Sequence, residues 1–232
     1  MTKLQELGPN IWLCDGPTIT AAAGFHYPTR MVVIRLRNGD LFIWSPVQIN
    51  DGLRNSVDAL GRVACIVAPN DLHDSFLSQW SDAFPDAKLF GAPGLPDKRQ
   101  DLQFTRTLNE TPPDIWAGEI EQVVFGTNRI TREVVFFHLE SRTVIFTDLL
   151  QHLPRGWYRG WRALVARLDL MTGPEPQVPR KFRVAFHDKP SVRSNLQRVL
   201  DWPVERLVIA HGAPVTQDAK GVLKRAFAWI KP

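Results

Sequence analysis

Three apolar runs of strand type in this sequence each end in side chains that can hold a metal or move a proton. Ala64-Cys65-Ile66-Val67-Ala68 runs into Pro69-Asn70-Asp71-Leu72-His73-Asp74, so Asn70, Asp71, His73 and Asp74 crowd polar groups into one short stretch. Thr143-Val144-Ile145-Phe146 ends in Thr147-Asp148, and Leu207-Val208-Ile209-Ala210 ends in His211-Gly212, where the glycine allows close backbone approach. Histidine and carboxylate are the usual ligands of zinc, iron and manganese, and ligands in α/β sheets gather beyond the C-terminal ends of strands. Each stretch also has a plainer reading. Asn70 or Asp71 would cap the helix that follows. Asp148, expensive to bury alone, would cap a turn or pair with an arginine. His211 by itself would be a hydrogen-bonded structural residue. The recurrence is what counts, because sheet neighbours bring such strand ends together.

A fourth group, Phe186-His187-Asp188, stands just before a helix starting around Ser191. His187 and Asp188 are possible additional site residues, though Asp188 would equally serve the helix N-terminus. His138 follows an apolar strand beside a turn and reads as a surface or strand-edge residue; His26 and His152 carry no specific signal. There is no GxSxG elbow, no phosphate-binding P-loop and no GxGxxG. Cys14 and Cys65 sit within apolar runs without CxxC spacing, which makes them buried small residues in a reducing compartment.

The elements that must position these residues alternate along the chain. Strands are expected at Ile11–Cys14, Arg30–Leu36 and Leu41–Trp44, the last two joined by a hairpin through Asn38-Gly39. A helix follows at Asp51–Leu60, closed by Gly61, then a strand at Cys65–Ala68, a helix at Asp74–Phe84 and a strand at about 85–90. Ile120–Phe125, Glu133–His138 and Thr143–Thr147 are three more strands. A helix at Ser191–Leu200, a strand at Leu207–Ala210 and a helix at Asp218–Ile230 close the chain. Two blocks, each opening with β-rich sequence, suit a four-layer αββα sandwich within the α/β (α+β) class better than a doubly wound sheet.

The 232 residues, 44% hydrophobic and 22% charged, are enough for one domain with a sizeable core, read here as residues 1–232. No apolar run is long enough to span a bilayer, and the first residues lack a signal-peptide core; the expectation is a cytoplasmic protein with no membrane partner. The net charge of +4 is uneven, with 11 Lys or Arg against 5 Asp or Glu between Arg155 and Arg206. Much of that excess falls in residues 154–183, together with Trp157, Tyr158 and Trp161, which read as an insertion or lid, helical at about 159–170. Such a segment could attract nucleic acid by base stacking, but its prolines suit a packed lid better.

The order of these stretches resembles the metallo-β-lactamase fold superfamily, and more closely a domain-of-unknown-function branch beside it. The matching segments include Thr29–Leu36, Trp44-Ser45-Pro46, Ala68–His73, Pro93-Gly94-Leu95, Val135–His138, Thr147-Asp148-Leu149 and Ala210-His211-Gly212. The resemblance implies an αββα fold and a metal motif His-x-His-x-Asp-His followed by a His, an Asp and a His. Laid on residues 70–75, only Asp74 agrees; Asn70, Leu72 and Ser75 stand where the family has histidines, and no counterpart of the middle histidine is seen around Gly126-Thr127. Asp148 matches the bridging aspartate and His211 the final histidine. The family's two metals share a hydroxide that attacks esters, amides, thioesters or phosphodiesters. The residues kept here imply at most one divalent metal (zinc, iron or manganese) on Asp74, Asp148 and His211, completed by His73 if the loop is rearranged. Asn70 would orient water or a substrate carbonyl, with Asn70, Asp74 and Asp148 as the catalytic set. The alternative is a non-catalytic scaffold, without metal, that binds a small ligand or a protein partner.

Overall fold

The computed structural model describes residues 3–230. The first half of the chain supplies β1 (Gln5–Gly8), β2 (Ile11–Asp15), β3 (Ile19–Thr20), β4 (His26–Tyr27), β5 (Arg30–Arg35), β6 (Leu41–Trp44) and α1 (Asp51–Asp58). Then come β7 (Val63–Ala68), α2 (Leu77–Ala83), β8 (Lys88–Gly91), α3 (Leu95–Lys98) and β9 (Arg106–Thr107). The second half adds β10 (Ile120–Phe125), β11 (Glu133–His138), β12 (Thr143–His152), α4 (Gly160–Leu168) and α5 (Arg180–Ala185). It closes with α6 (Lys189–Asp201), β13 (Arg206–Gly212) and α7 (Ala219–Ala226).

Seven strands form one sheet in the order β1-β2-β5-β6-β7-β8-β9, and four form the other in the order β10-β11-β12-β13; β3 and β4 pair separately. The period-2 alternation of a strand decides which side chain serves which layer. In β5, Val32 and Ile34 face the second sheet, packing in one cluster with Phe136, Ile145 and Val208, while Met31 and Val33 pack on the other side with Leu53, Val57 and Trp80 of α1 and α2. The far face of the second sheet is covered by Val192 and Leu196 of α6 and by Val222 and Leu223 of α7. The layers therefore run helix, sheet, sheet, helix, as the alternation implies.

Two departures from the expected elements matter for function. The helix expected from Asp74 begins only at Leu77, because the Asn70 side-chain oxygen takes the N–H groups of Leu72 and His73 (3.0 and 2.9 Å) and keeps the chain before Leu77 out of the helix. The strand expected to stop at Thr147 continues to His152 after a break in its pairing. Among smaller differences, α1 ends at Asp58 rather than Leu60, the last helix spans only Ala219–Ala226, and α3 and α5 were not expected. Cys14 and Cys65 are free and buried.

His138 is not a surface residue. It is 2% exposed, its Nδ1 lies 2.8 Å from Ser141 Oγ, and burial pushes its pKa down to about 4 against weaker upward pulls from Glu140 and Glu119. The unfolded chain protonates this ring near pH 6.5 and the folded chain resists, so the stability it contributes is present above pH 6.5 and drains as pH falls towards 4. Urea unfolding of wild type and His138→Gln at pH 7 and pH 4.5 is expected to show wild type losing about 2–3 kcal/mol more than the variant. Equal losses would contradict a buried neutral histidine.

Candidate functional site

Parallel pairing brings the C-terminal ends of β6 and β7 together in one sheet and those of β12 and β13 in the other. The break in β12 presents the first key side chain. Pairing with β13 runs to Phe146↔Ile209 and resumes at Gln151↔His211, so the stretch carrying Asp148 bulges out of the ladder. The backbone N–H groups freed there are taken by one carboxylate. Glu133, fully buried at the start of β11, accepts from Thr147, Asp148 and Leu149 at 2.8, 2.9 and 2.9 Å. Burial, and behind it the charge of Asp148, pushes the Glu133 pKa up to about 7.

Around the bulge three side chains converge. His73 Nε2 lies 3.3 Å from Asp148 Oδ2, His211 Nε2 lies 3.1 Å from Asp148 Oδ1, and the two Nε2 atoms are 3.3 Å apart. Each ring is held from behind. His211 Nδ1 is 2.8 Å from the Pro28 carbonyl, to which it donates, leaving Nε2 as the ring's ligand atom. His73 Nδ1 meets Ser45 Oγ at 2.7 Å. Ser45 sits in the left-handed region (φ 49°), a conformation unfavourable for serine and kept by its N–H bond to Val67 O (2.8 Å). Burial alone would raise the Asp148 pKa, but His73 and then His211 hold the carboxyl well below its usual range.

This donor set suits a divalent metal. Two imidazoles and one carboxylate, buried or nearly so, are the only such group of three among the described residues. Ligand atoms about 2.0–2.1 Å from a tetrahedral zinc stand roughly 3.3 Å from one another, close to the separations found here. Arg30 fixes the end of β13 from the opposite sheet: its guanidinium donates to the carbonyls of Ile209 (2.9 Å) and Gly212, on either side of His211. Gly212 has to be glycine, since a Cβ there would stand 2.7 Å from His152 O.

The sequence-predicted residues divide. His73, Asp148 and His211 come together. Asp74 does not join them: its carboxylate is paired with Lys98 (3.0 Å) and Arg99 (3.6 Å), because the turn that aims His73 inward aims the next residue away. Asn70 is at the site, but not as a group facing substrate. Fully buried, it donates to Asp148 Oδ2 (2.7 Å) and Thr147 Oγ1 (3.0 Å) and accepts from Leu72 and His73, which commits both amide hydrogens and both lone pairs. Asp188 caps α6 through Ser191 N (3.0 Å), and His187 lines a different pocket with Asn128 and Arg129. Sequence reasoning does not single out Glu133, Arg30 or Ser45 as site residues; the signal that Arg30 and Glu133 carry is a charge opening an otherwise apolar strand.

A cavity of about 340 Å³ opens onto the three side chains. Its walls are mostly apolar, with Tyr27, Leu72, Phe76, Ile130 and Phe182 among them. Gln151 and Lys181 also line it; Gln151 is 1% exposed, and its Oε1 has no hydrogen-bond partner. Part of residues 154–183 thus reaches the cavity, through Lys181 and the neighbouring Phe182. The aromatic residues of that segment are not free to stack on bases as a group, since Trp157 Nε1 and Tyr158 OH both donate to His26 O (2.9 and 2.7 Å).

Residues 10–159 match the family described as Domain of unknown function (DUF4336). No curated protein matches the chain. Among solved structures, it resembles a metallo-β-lactamase from Pontibacter korlensis, with 11% identity, TM-score 0.65 and 99% of each chain covered. It also resembles a metallo-β-lactamase from Hirschia baltica, with 10% identity, TM-score 0.63, and 100% of this chain and 98% of that one covered. The DIM-1 metallo-β-lactamase exposed to ceftazidime gives 14% identity, TM-score 0.65, and coverage of 99% and 96%. At such identities the likeness establishes the fold alone.

Two substitutions separate the roles of Asn70 and Asp74. Asn70→Ala leaves Asp148 Oδ2 and two N–H groups short of partners in a dry site, and is expected to lower unfolding free energy by about 2–4 kcal/mol in denaturant titration. Asp74→Asn is expected to change zinc affinity, measured by competition with a chromophoric chelator, by less than about threefold, where Asp148→Ala lowers it more than about 100-fold. A large loss of affinity in Asp74→Asn would return Asp74 to the ligand set.

Proposed function

The chain belongs to the DUF4336 domain family and has the metallo-β-lactamase fold, and from that premise we propose that it is a hydrolase working with a single divalent metal held by His73, Asp148 and His211. The observation that carries the proposal is the spacing of those three donors, each supported from behind, at the floor of an apolar cavity. A metal bound there supplies Lewis acidity, which acidifies water and polarises a carbonyl or phosphoryl oxygen.

The remaining work falls to the chain's own groups. Asp148 stays ionised and so keeps a negative charge between the two rings. Pro28 O fixes the tautomer of His211, and Asn70 fixes both the Asp148 carboxylate and the start of the His73 turn. The apolar walls exclude bulk water, which strengthens every charge interaction inside. Gln151 Oε1 offers a free acceptor to a substrate N–H or O–H, while Lys181, which also lines the cavity, is already paired with Asp169 (3.5 Å). A cavity of about 340 Å³ is at the small end of ligand sites. The cavity suits a small substrate with an apolar portion, and the bond classes to be tested are the ester, thioester, amide and phosphodiester that the family resemblance implies.

Zinc- and manganese-loaded protein assayed against aryl and alkyl members of those four classes is expected to turn over at least one. Asp148→Ala and His211→Ala should each lower kcat/KM at least about 100-fold, while Gln151→Ala should act mainly on KM. Turnover that survives both ligand substitutions, or none across all four classes, would contradict the proposal.

A further inference from the structure

The outward face of α4 is apolar. Trp161, Leu164, Val165 and Leu168 are 54%, 60%, 40% and 55% exposed, and their i, i+3, i+4, i+7 spacing gathers them on roughly a 100° stripe. These are four of the eight large apolar side chains that stand so exposed among the described residues. The inner face is made of small residues, with Ala166 buried and Ala163 half-buried against Phe25, Tyr27 and Tyr158. Arg162 and Arg167 fall on the two flanks between these faces, and Arg155 and Arg159 precede the helix. Arg155, Arg159 and Arg167 are exposed, and no carboxylate pairs with them among the described residues. Arg162 donates to Ala23 O (2.8 Å) and lies over the Trp161 ring. α5, tied to the end of α4 by the bond from Arg180 N to Asp169 O (3.0 Å), repeats the combination in an exposed Arg180 and an 86% exposed Val184.

We propose that α4 is a docking helix for an anionic lipid surface. An apolar stripe bordered by arginines, with tryptophan at its edge, is the pattern of a helix that lies in the headgroup region, apolar side down and cations against lipid phosphates. The charges argue against the other occupants. In a symmetric contact between two copies, the arginine rims would face each other with no carboxylate between them. A nucleic acid would find one exposed aromatic ring, already covered on one side by Arg162, and three aliphatic side chains where stacking platforms are needed. The expectation of no membrane partner came from the lack of a spanning segment, and no helix among the described residues is long and apolar enough to cross a membrane; surface docking needs no such segment. Tyr27 belongs to the cluster beneath α4 and also lines the cavity, its ring 5.2 Å from His211, so a docked helix stands one side chain from the proposed reaction site.

The test is co-sedimentation of the full chain with vesicles of equal parts phosphatidylglycerol and phosphatidylcholine, and with vesicles of phosphatidylcholine alone, at low and high salt. The expected result is at least about tenfold stronger partitioning onto the anionic vesicles, weakened by salt. Leu164→Glu/Leu168→Glu should lower it at least about tenfold with the circular dichroism spectrum unchanged, as should Arg155→Ala/Arg159→Ala/Arg167→Ala. No binding to the anionic vesicles, or equal partitioning of wild type and Leu164→Glu/Leu168→Glu, would overturn the proposal. So would binding of a single-stranded oligonucleotide without binding of vesicles. A dimer seen by ultracentrifugation that the leucine substitutions dissolve, again without vesicle binding, would assign the stripe to self-association instead.

Discussion

One side-chain amide joins the two halves of this site. Asn70 lies just beyond the end of β7 in one sheet, Asp148 in the bulge of β12 in the other, and the amide spans them at 2.7 Å while its oxygen winds the chain towards His73. A buried amide leaves little freedom, because each of its hydrogens and lone pairs must be matched or the site pays for an unpaired group. Among residues of this size asparagine alone supplies two donor hydrogens beside an oxygen with two lone pairs, which are the four bonds made here. The position of His73 relative to Asp148 thus follows from a bonding requirement rather than from loop packing. Glu133 meets the same kind of requirement in the bulge, where three successive N–H groups face inward and need an acceptor.

The arrangement departs from the dinuclear centre that the wider resemblance implies. At the positions where that motif carries histidines, Asn70 is a strut, while Leu72 and Ser75 are cavity wall. Asp74, the one residue that agrees with the motif, spends its charge on Lys98 and Arg99. What is left is one cluster of three donors, with apolar surface and a single unpartnered amide oxygen around it.

Strand ends were the most legible part of the sequence. His211 directly follows an apolar run, and Asp148 follows one after Thr147; burying such a run carries the polar group beyond it to the end of the ladder, although for Asp148 that end is a bulge within β12 and not the strand's terminus. The four layers followed from the alternation of apolar runs and helical spacing, with the resemblance in agreement. The loop after β7 was harder to read. Four polar residues in five positions do not reveal which are turned inward, and the Asx turn at Asn70, which costs α2 its first turn, selects His73 over Asp74. Glu133 begins a strand, and nothing local discloses that a bulge in another strand will need its carboxylate. α4 has the opposite ambiguity: Trp161, Leu164 and Leu168 carry the spacing of a core-facing helix, and only the fold shows that alanines fill the core side.

The central claim is a single metal on His73, Asp148 and His211, and metal stoichiometry tests it most directly. Untagged protein reconstituted with excess zinc, freed of unbound ion and measured by elemental analysis beside an Asp148→Ala/His211→Ala double variant, is expected to hold one equivalent per chain, with none in the variant. A wild type that stays empty, or one that holds two equivalents, would contradict a three-donor, one-metal centre.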